Sequence, residues 1–125
     1  MDWKLELVFV PVSDVDRSKD FYVNKVGFNA DYDERPSECI RFVQLTPPGS
    51  GCSIAIGEGL NEARPGTAPG LQLVVSDIEA AHRQLKDKGV EVSEIDVQDW
   101  GQFVYFADPD GNKWAVQYIP GRPNG

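Results

Sequence analysis

Histidine, cysteine and methionine are nearly missing from this sequence: 125 residues hold one histidine, two cysteines and one methionine. A serine-histidine or cysteine-histidine triad would need the lone His82 in a pocket. Its spacing from Ile78, Ala81 and Leu85 instead puts it on the packing face of a predicted helix. Cys39 and Cys52 fall on adjacent predicted strands, and they read as two free, largely buried thiols with no neighbour that would lower a thiol pKa. Basic residues are also scarce. Twelve Lys and Arg face twenty Asp and Glu, a net charge of −8, so the field repels phosphate backbones and anionic headgroups. Neither nucleic acid nor a membrane surface is an expected partner. A diffuse negative field would concentrate cationic ligands, but it is also a common means of staying soluble. No apolar run approaches a membrane span, and Met1-Asp2-Trp3-Lys4 lacks the basic start and apolar stretch of a signal peptide. The expected location is the cytoplasm. No glycine-rich phosphate loop is present, since Pro47-Pro48-Gly49-Ser50 and the turn at Asp108 join strands and do not open helices.

What is present is a duplicated pattern. Leu5 to Val12 reads as a strand, Asp14 to Val26 as a helix opened by Ser13-Asp14, and Gly27 as its stop. Leu71 to Val75, Ser76-Asp77, Ile78 to Lys88 and Gly89 repeat that order at matching offsets. Three strand-like segments follow each helix: Phe28 to Asp33, Cys39 to Thr46 and Cys52 to Gly57, then Val90 to Ile95, Gln102 to Ala107 and Lys113 to Ile119. The turn Pro47-Pro48-Gly49-Ser50 in the first unit matches Asp108-Pro109-Asp110-Gly111-Asn112 in the second. One domain over 1–125 is expected, made of module 4–57, linker 58–69 and module 70–120. The fold class is α+β, two strand-helix-strand-strand-strand (βαβββ) modules combined within or between chains, because one module alone cannot bury both faces of its sheet.

Alternation along the strands separates two faces. Val8, Val10, Val12, Ile54, Ile56, Leu71, Leu73, Val75, Trp114, Val116 and Tyr118 form a bulky face suited to packing under helices. The stripes Val15, Ser18, Tyr22, Val26 and Ile78, Ala81, His82, Leu85 face it. The opposite face carries small or polar residues: Ser53, Ala55, Gly57; Gly70, Gln72, Val74; Lys113, Ala115, Gln117. With Leu7, Phe9 and Pro11 beside them, this side reads as a partly covered ligand cavity, the alternative being a solvated sheet face.

The segment Val12-Ser13-Asp14-Val15-Asp16-Arg17-Ser18-Lys19-Asp20-Phe21-Tyr22, the turn Asp108-Pro109-Asp110-Gly111-Asn112 and the repeat itself resemble the vicinal oxygen chelate superfamily, which includes glyoxalase I, extradiol dioxygenases and bleomycin-binding proteins. The likeness implies mixed sheets curved around a cavity with helices outside. It also implies a homodimer, since paired modules in that superfamily often come from two chains. Its metal-dependent members hold a divalent ion with cavity-facing side chains, and those positions fall here on Leu7, Ala55, Gly70 and Ala115. None can coordinate a metal, so no metal and no cofactor is expected. The resemblance then implies a metal-free protein that binds a small organic molecule. Its contacts would be Gln72 and Gln117 as hydrogen-bonding amides, Phe9, Trp100 and Tyr105 as stacking surfaces, and Arg41 as a counterion. The alternative is a metal-independent isomerase, lyase or cyclase using Glu58, Asp99 or Tyr105 as acid or base. Metal-dependent glyoxalase or dioxygenase chemistry stands third.

Overall fold

The computed structural model describes residues 1–121; the last four residues of the expected domain lie outside the described residues. In the first module, β1 (Leu7–Phe9) leads to α1 (Val15–Asp20), which continues as a wider π-helical turn over Phe21–Val26, and then to β2 (Asn29–Ser37), β3 (Ile40–Thr46) and β4 (Ser53–Glu58). The second module repeats this with β5 (Leu71–Val74), α2 (Ile78–Asp87), β6 (Asp96–Gln98), β7 (Gly101–Ala107) and β8 (Lys113–Tyr118). Each builds a four-stranded sheet of the same topology, β1-β4-β3-β2 and β5-β8-β7-β6. The first and last strand of each module run parallel, and the other pairs are antiparallel.

Local chemistry explains most of the element ends. The carboxylates of Asp14 and Asp77 accept from the N–H groups of Arg17 and Ala80 and cap the two helices. Gly27 and Gly89 take left-handed backbone at φ 97° and 82° just past the helical turns, where a side chain would be strained. The strand expected over Leu5 to Val12 is shorter than its pattern because Pro11 has no N–H to continue a ladder. The strand expected over Val90 to Ile95 does not form, and β6 begins only at Asp96. Ser93 is the reason: its N–H donates to the Tyr105 carbonyl at 3.0 Å, but the Tyr105 N–H is taken by the Ser93 hydroxyl, not by a backbone carbonyl. Cys39 is also corrected, since it is exposed in the turn between β2 and β3.

The bulky strand faces and the helices of both modules share one core, to which Val10, Ile54, Ile56, Ile78, Leu85, Trp114 and Val116 all contribute. Burying each such side chain contributes about 1.5–3 kcal/mol. The π-helical turn gives this core an extra residue. A straight α-helix would turn Tyr22 inward and Phe21 to the side, whereas the wider turn buries both. At the seam between modules, Tyr22 stacks with Phe28 at 5.5 Å between centroids and meets Trp114 edge-on at 5.8 Å.

The seam is also polar. The Tyr22 hydroxyl donates to Asp108 Oδ2 at 2.7 Å and accepts from Trp114 Nε1 at 3.0 Å. Asp108 further accepts from Asn112 Nδ2 at 2.7 Å, and Asn112 also donates to the Pro11 carbonyl and accepts from the Ala68 N–H. Ser13 donates its N–H and its hydroxyl to Asp110. The Asp108–Asn112 turn is thus the socket into which the first module and the linker plug. Burial, followed by the Asp108 charge, raises the Tyr22 pKa far above the ordinary phenol range, so the hydroxyl stays a donor.

Candidate functional site

Because paired residues on neighbouring strands point the same way, the register fixes what lies on the concave side of each sheet, away from the helices. In the second module, one row crosses the sheet as Gln72, Ala115 and Tyr105, and the next as Val74, Gln117 and Phe103. Over the first row sits a cleft of about 500 Å³, lined among others by Gly70, Gln72, Tyr105, Lys113 and Ala115. Its floor is the Ala115 methyl group, and Gly70 contributes no side chain; a Cβ there would stand in open space. The volume falls in the range of small-molecule sites.

One wall is the Tyr105 ring, which Phe103 backs. Phe103 and Tyr105 lie nearly parallel, 6.0 Å apart at 4°, with Phe103 covered and Tyr105 40% exposed. The Tyr105 hydroxyl donates to Asp96 Oδ2 at 3.1 Å, and Gln98 Nε2 donates to the same oxygen at 2.8 Å. Partial burial and the Asp96 carboxylate raise the phenol pKa, so it stays protonated at neutral pH. The other wall is the Gln72 amide, oriented from the next row: Gln117 Nε2 donates to the Trp100 carbonyl at 3.0 Å, and Gln117 Oε1 accepts from Gln72. Trp100 stands 64% exposed in the turn from β6 to β7. The next residue, Gly101, has to be glycine, since a Cβ would collide with the Tyr118 carbonyl and crowd Gln117 Nε2 at 3.1 Å.

The concave side of the first module carries Leu7 and Phe9 from β1, Ser53 and Ala55 from β4 and Gln44 from β3. Gln44 donates to Glu6 at 3.1 Å, and Thr46 bonds both Ser53 and Asp31. Phe9 is 44% exposed. Five of the six residues singled out from sequence thus reach the concave side or its rim: Phe9 on the first module, and Gln72, Trp100, Tyr105 and Gln117 on the second.

Arg41 does not join them. It pairs with Glu58 across from β4, and that row points to the helix side. There its guanidinium donates two bonds to Asp33 and meets Asp16 at 3.0 Å. Asp33 is held well below the ordinary carboxylate range by Arg41 first and Lys19 second. A charge so enclosed has little left for a ligand. Of the acid-base candidates, Glu58 pairs with Arg35 at 2.8 Å, Asp99 lies exposed in the β6–β7 turn, and Tyr105 is the hydrogen-bonded donor already described. His82 sits on α2, on the helix side of the sheet.

Leu7, Ala55, Gly70 and Ala115 place no donor atom on the concave side, and the nearby amides of Gln72 and Gln117 bond each other. Among the described residues no three His, Cys, Asp or Glu side chains converge. The side chains present do not fit a divalent ion. A larger cleft of about 700 Å³ opens on the helix side, between Val26, Phe28, Leu73 and Leu85. Its walls are the edges of core side chains, and its charged groups, Lys25, Asp87 and Lys88, stand on its rim. The concave cleft has the convergent polar groups that a specific site needs. Alternation in the sequence places Lys113 on this face, though without a role. Sequence reasoning missed the two residues that support Tyr105 from beside the cleft, Phe103 and Asp96. Alternation from Tyr105 could have marked Phe103, but Asp96 required the true start of β6.

Known proteins share this architecture. A solved structure of TnmS3, described as an antibiotic binding protein from Streptomyces sp. CB03234, is 34% identical, covers 94% of this chain and 97% of its own, and superimposes with a TM-score of 0.85. A glyoxalase/bleomycin resistance protein from the same organism is 35% identical over 91% of this chain and 99% of its own, at a TM-score of 0.80. The protein YetH of Bacillus subtilis is 28% identical over 112 residues, which is 88% of this chain and 93% of YetH. The model of one family matches residues 4–116, both modules and the linker between them, and the chain belongs to that family, the Glyoxalase/Bleomycin resistance protein/Dioxygenase superfamily.

Proposed function

We propose that this protein binds a small organic molecule, without metal, on the concave face of its second module, and that a second copy of the chain supplies the opposite wall. The observation that carries the reading is the cleft over Ala115: an apolar floor, an aromatic wall at Tyr105 and the Gln72 amide oriented by Gln117. The antibiotic binding named for TnmS3 supports an organic ligand here. The second copy is argued from exposure. Phe9, Val74, Trp100 and Tyr105 leave large apolar surfaces open on the concave sides. Among the described residues, strands β1 and β5 each have one unpaired edge. A twofold dimer setting the first module of one copy over the second module of the other would cover these surfaces and close the cleft. The cytoplasm is the setting we infer, where Cys39 and Cys52 would stay reduced. Binding is favoured over turnover because none of the three acid-base candidates is held free in the cleft.

The test combines thermal unfolding of the purified protein against a panel of organic metabolites and aromatic antibiotics with metal analysis and sedimentation. A compound that raises the midpoint in the native protein but not in Ala115→Phe supports the site. One divalent ion per chain would overturn the metal-free reading, and a monomer in the presence of a stabilising compound would overturn the shared cavity. Chemical conversion of the compound would shift the reading to metal-independent catalysis.

A further inference from the structure

Resting on the reading of the concave cleft as a binding site, we propose that its ligand is a planar aromatic compound bearing a hydroxyl and a carboxylate or similarly acidic oxygen. The ring lies on the open face of Tyr105, the acidic oxygen meets Lys113, and the hydroxyl meets Gln72. Three independent features of the cleft point to these three parts.

The first is the unfinished stack. Phe103 and Tyr105 are parallel neighbours on one strand, and the next residue of β7 on that face is Ala107. A chain of rings therefore ends in a step down to a methyl group, beside a floor made of Ala115 and Gly70. The Asp96 bond holds the Tyr105 hydroxyl in place, so the exposed ring is a fixed platform. A flat ring laid on it continues the stack.

The second is Lys113. It faces Ala107 across the ladder and lines the cleft. Among the described residues its ammonium has no ion pair, in a chain whose net charge is −8. Arg17, Lys19, Arg35 and Arg41 each meet a carboxylate; the other described cations, like Lys113, do not, and of these Lys113 is the one that lines this cleft. A cationic ligand would be repelled at this end of the cleft, and an acidic oxygen would be held by a charge-assisted bond.

The third is the direction of the amides. The Trp100 carbonyl can only accept, so Gln117 must turn its nitrogen to it and its oxygen to Gln72. Gln72 then spends an N–H on Gln117, and its Oε1 remains as an acceptor on the cleft wall. A hydroxyl on the ring supplies the matching donor.

Titration calorimetry with 6-hydroxy-2-naphthoate, whose hydroxyl is too far from its carboxylate to bond it, and with 2-naphthol, which lacks only the carboxylate, tests the proposal. The native protein is expected to bind the naphthoate about tenfold tighter, the worth of one charge-assisted bond. Lys113→Gln should erase that preference while leaving 2-naphthol affinity unchanged, and Tyr105→Leu should weaken both. Equal binding of the two probes, a preference that survives Lys113→Gln, or binding of neither probe overturns the proposed ligand class. Ala115→Phe separates that failure from failure of the site itself. If a different compound stabilises the native protein and not this variant, the cleft still binds and only the ligand class is wrong. If stabilisation survives in Ala115→Phe with an unchanged unfolding midpoint, the site goes as well.

Discussion

The two sides of the sheets differ in kind although they are made of the same strands. On the helix side, Tyr22, Asp108, Asn112 and Trp114 form a closed, buried set of hydrogen bonds inside an aromatic cluster. On the concave side, small residues leave space, and Phe9, Val74, Trp100 and Tyr105 are open to solvent. Neighbours in sequence serve opposite ends: Trp114 is core and Ala115 is cleft floor, Phe106 is core and Tyr105 is cleft wall. Alternation therefore lets the concave side vary its side chains residue by residue without disturbing what holds the modules together.

Substitutions should separate the two sides. Asn112→Ala removes bonds to Pro11, Asp108 and the Ala68 N–H at once, and is expected to cost about 3 kcal/mol in urea unfolding, leaving buried partners unsatisfied. Tyr22→Phe strands the Trp114 N–H and removes a donor from Asp108, for about 2 kcal/mol. Ala115→Phe fills the cleft, and its effect on stability should stay within about 0.5 kcal/mol while ligand binding is lost. An Ala115→Phe protein that unfolds as readily as Asn112→Ala would break the comparison.

A last, pH-dependent effect concerns the helix-side ion network. Arg41 and Lys19 depress the folded-state pKa of Asp33 below its unfolded value. Its contribution is therefore fully present above about pH 4 and is lost as pH falls below that toward the folded value. Since the side chain is partly exposed, the native protein should lose no more than about 1 kcal/mol through this group. Asp33→Asn should flatten that part of the acid unfolding profile, and an identical profile in the variant would remove the network from the account.

The duplicated modules, the two strand faces and the small-residue floor were legible in the sequence because a period of two is a local signal. Other features depend on events the pattern does not carry. Arg41 lies on the helix side because β3 is set in register with β4 so that Gln44 faces Ala55, placing Arg41 with Glu58. The fate of Val90 to Ile95 turned on a hydroxyl that outcompetes a carbonyl at Tyr105. The burial of Phe21 required a π-helical turn that a 3.6-residue period does not anticipate.

Asn112 joins its own turn to partners 101 and 44 residues earlier in the chain. During synthesis the first module therefore leaves the ribosome well before the residues that cover Tyr22 and Phe28 have been made. Local sheet pairing can begin early, but the seam closes only when the Asp108–Asn112 turn and Trp114 have emerged. Until then the nascent half presents its aromatic surface to the cell, and that interval, more than the finished fold, is where chaperones or aggregation would act.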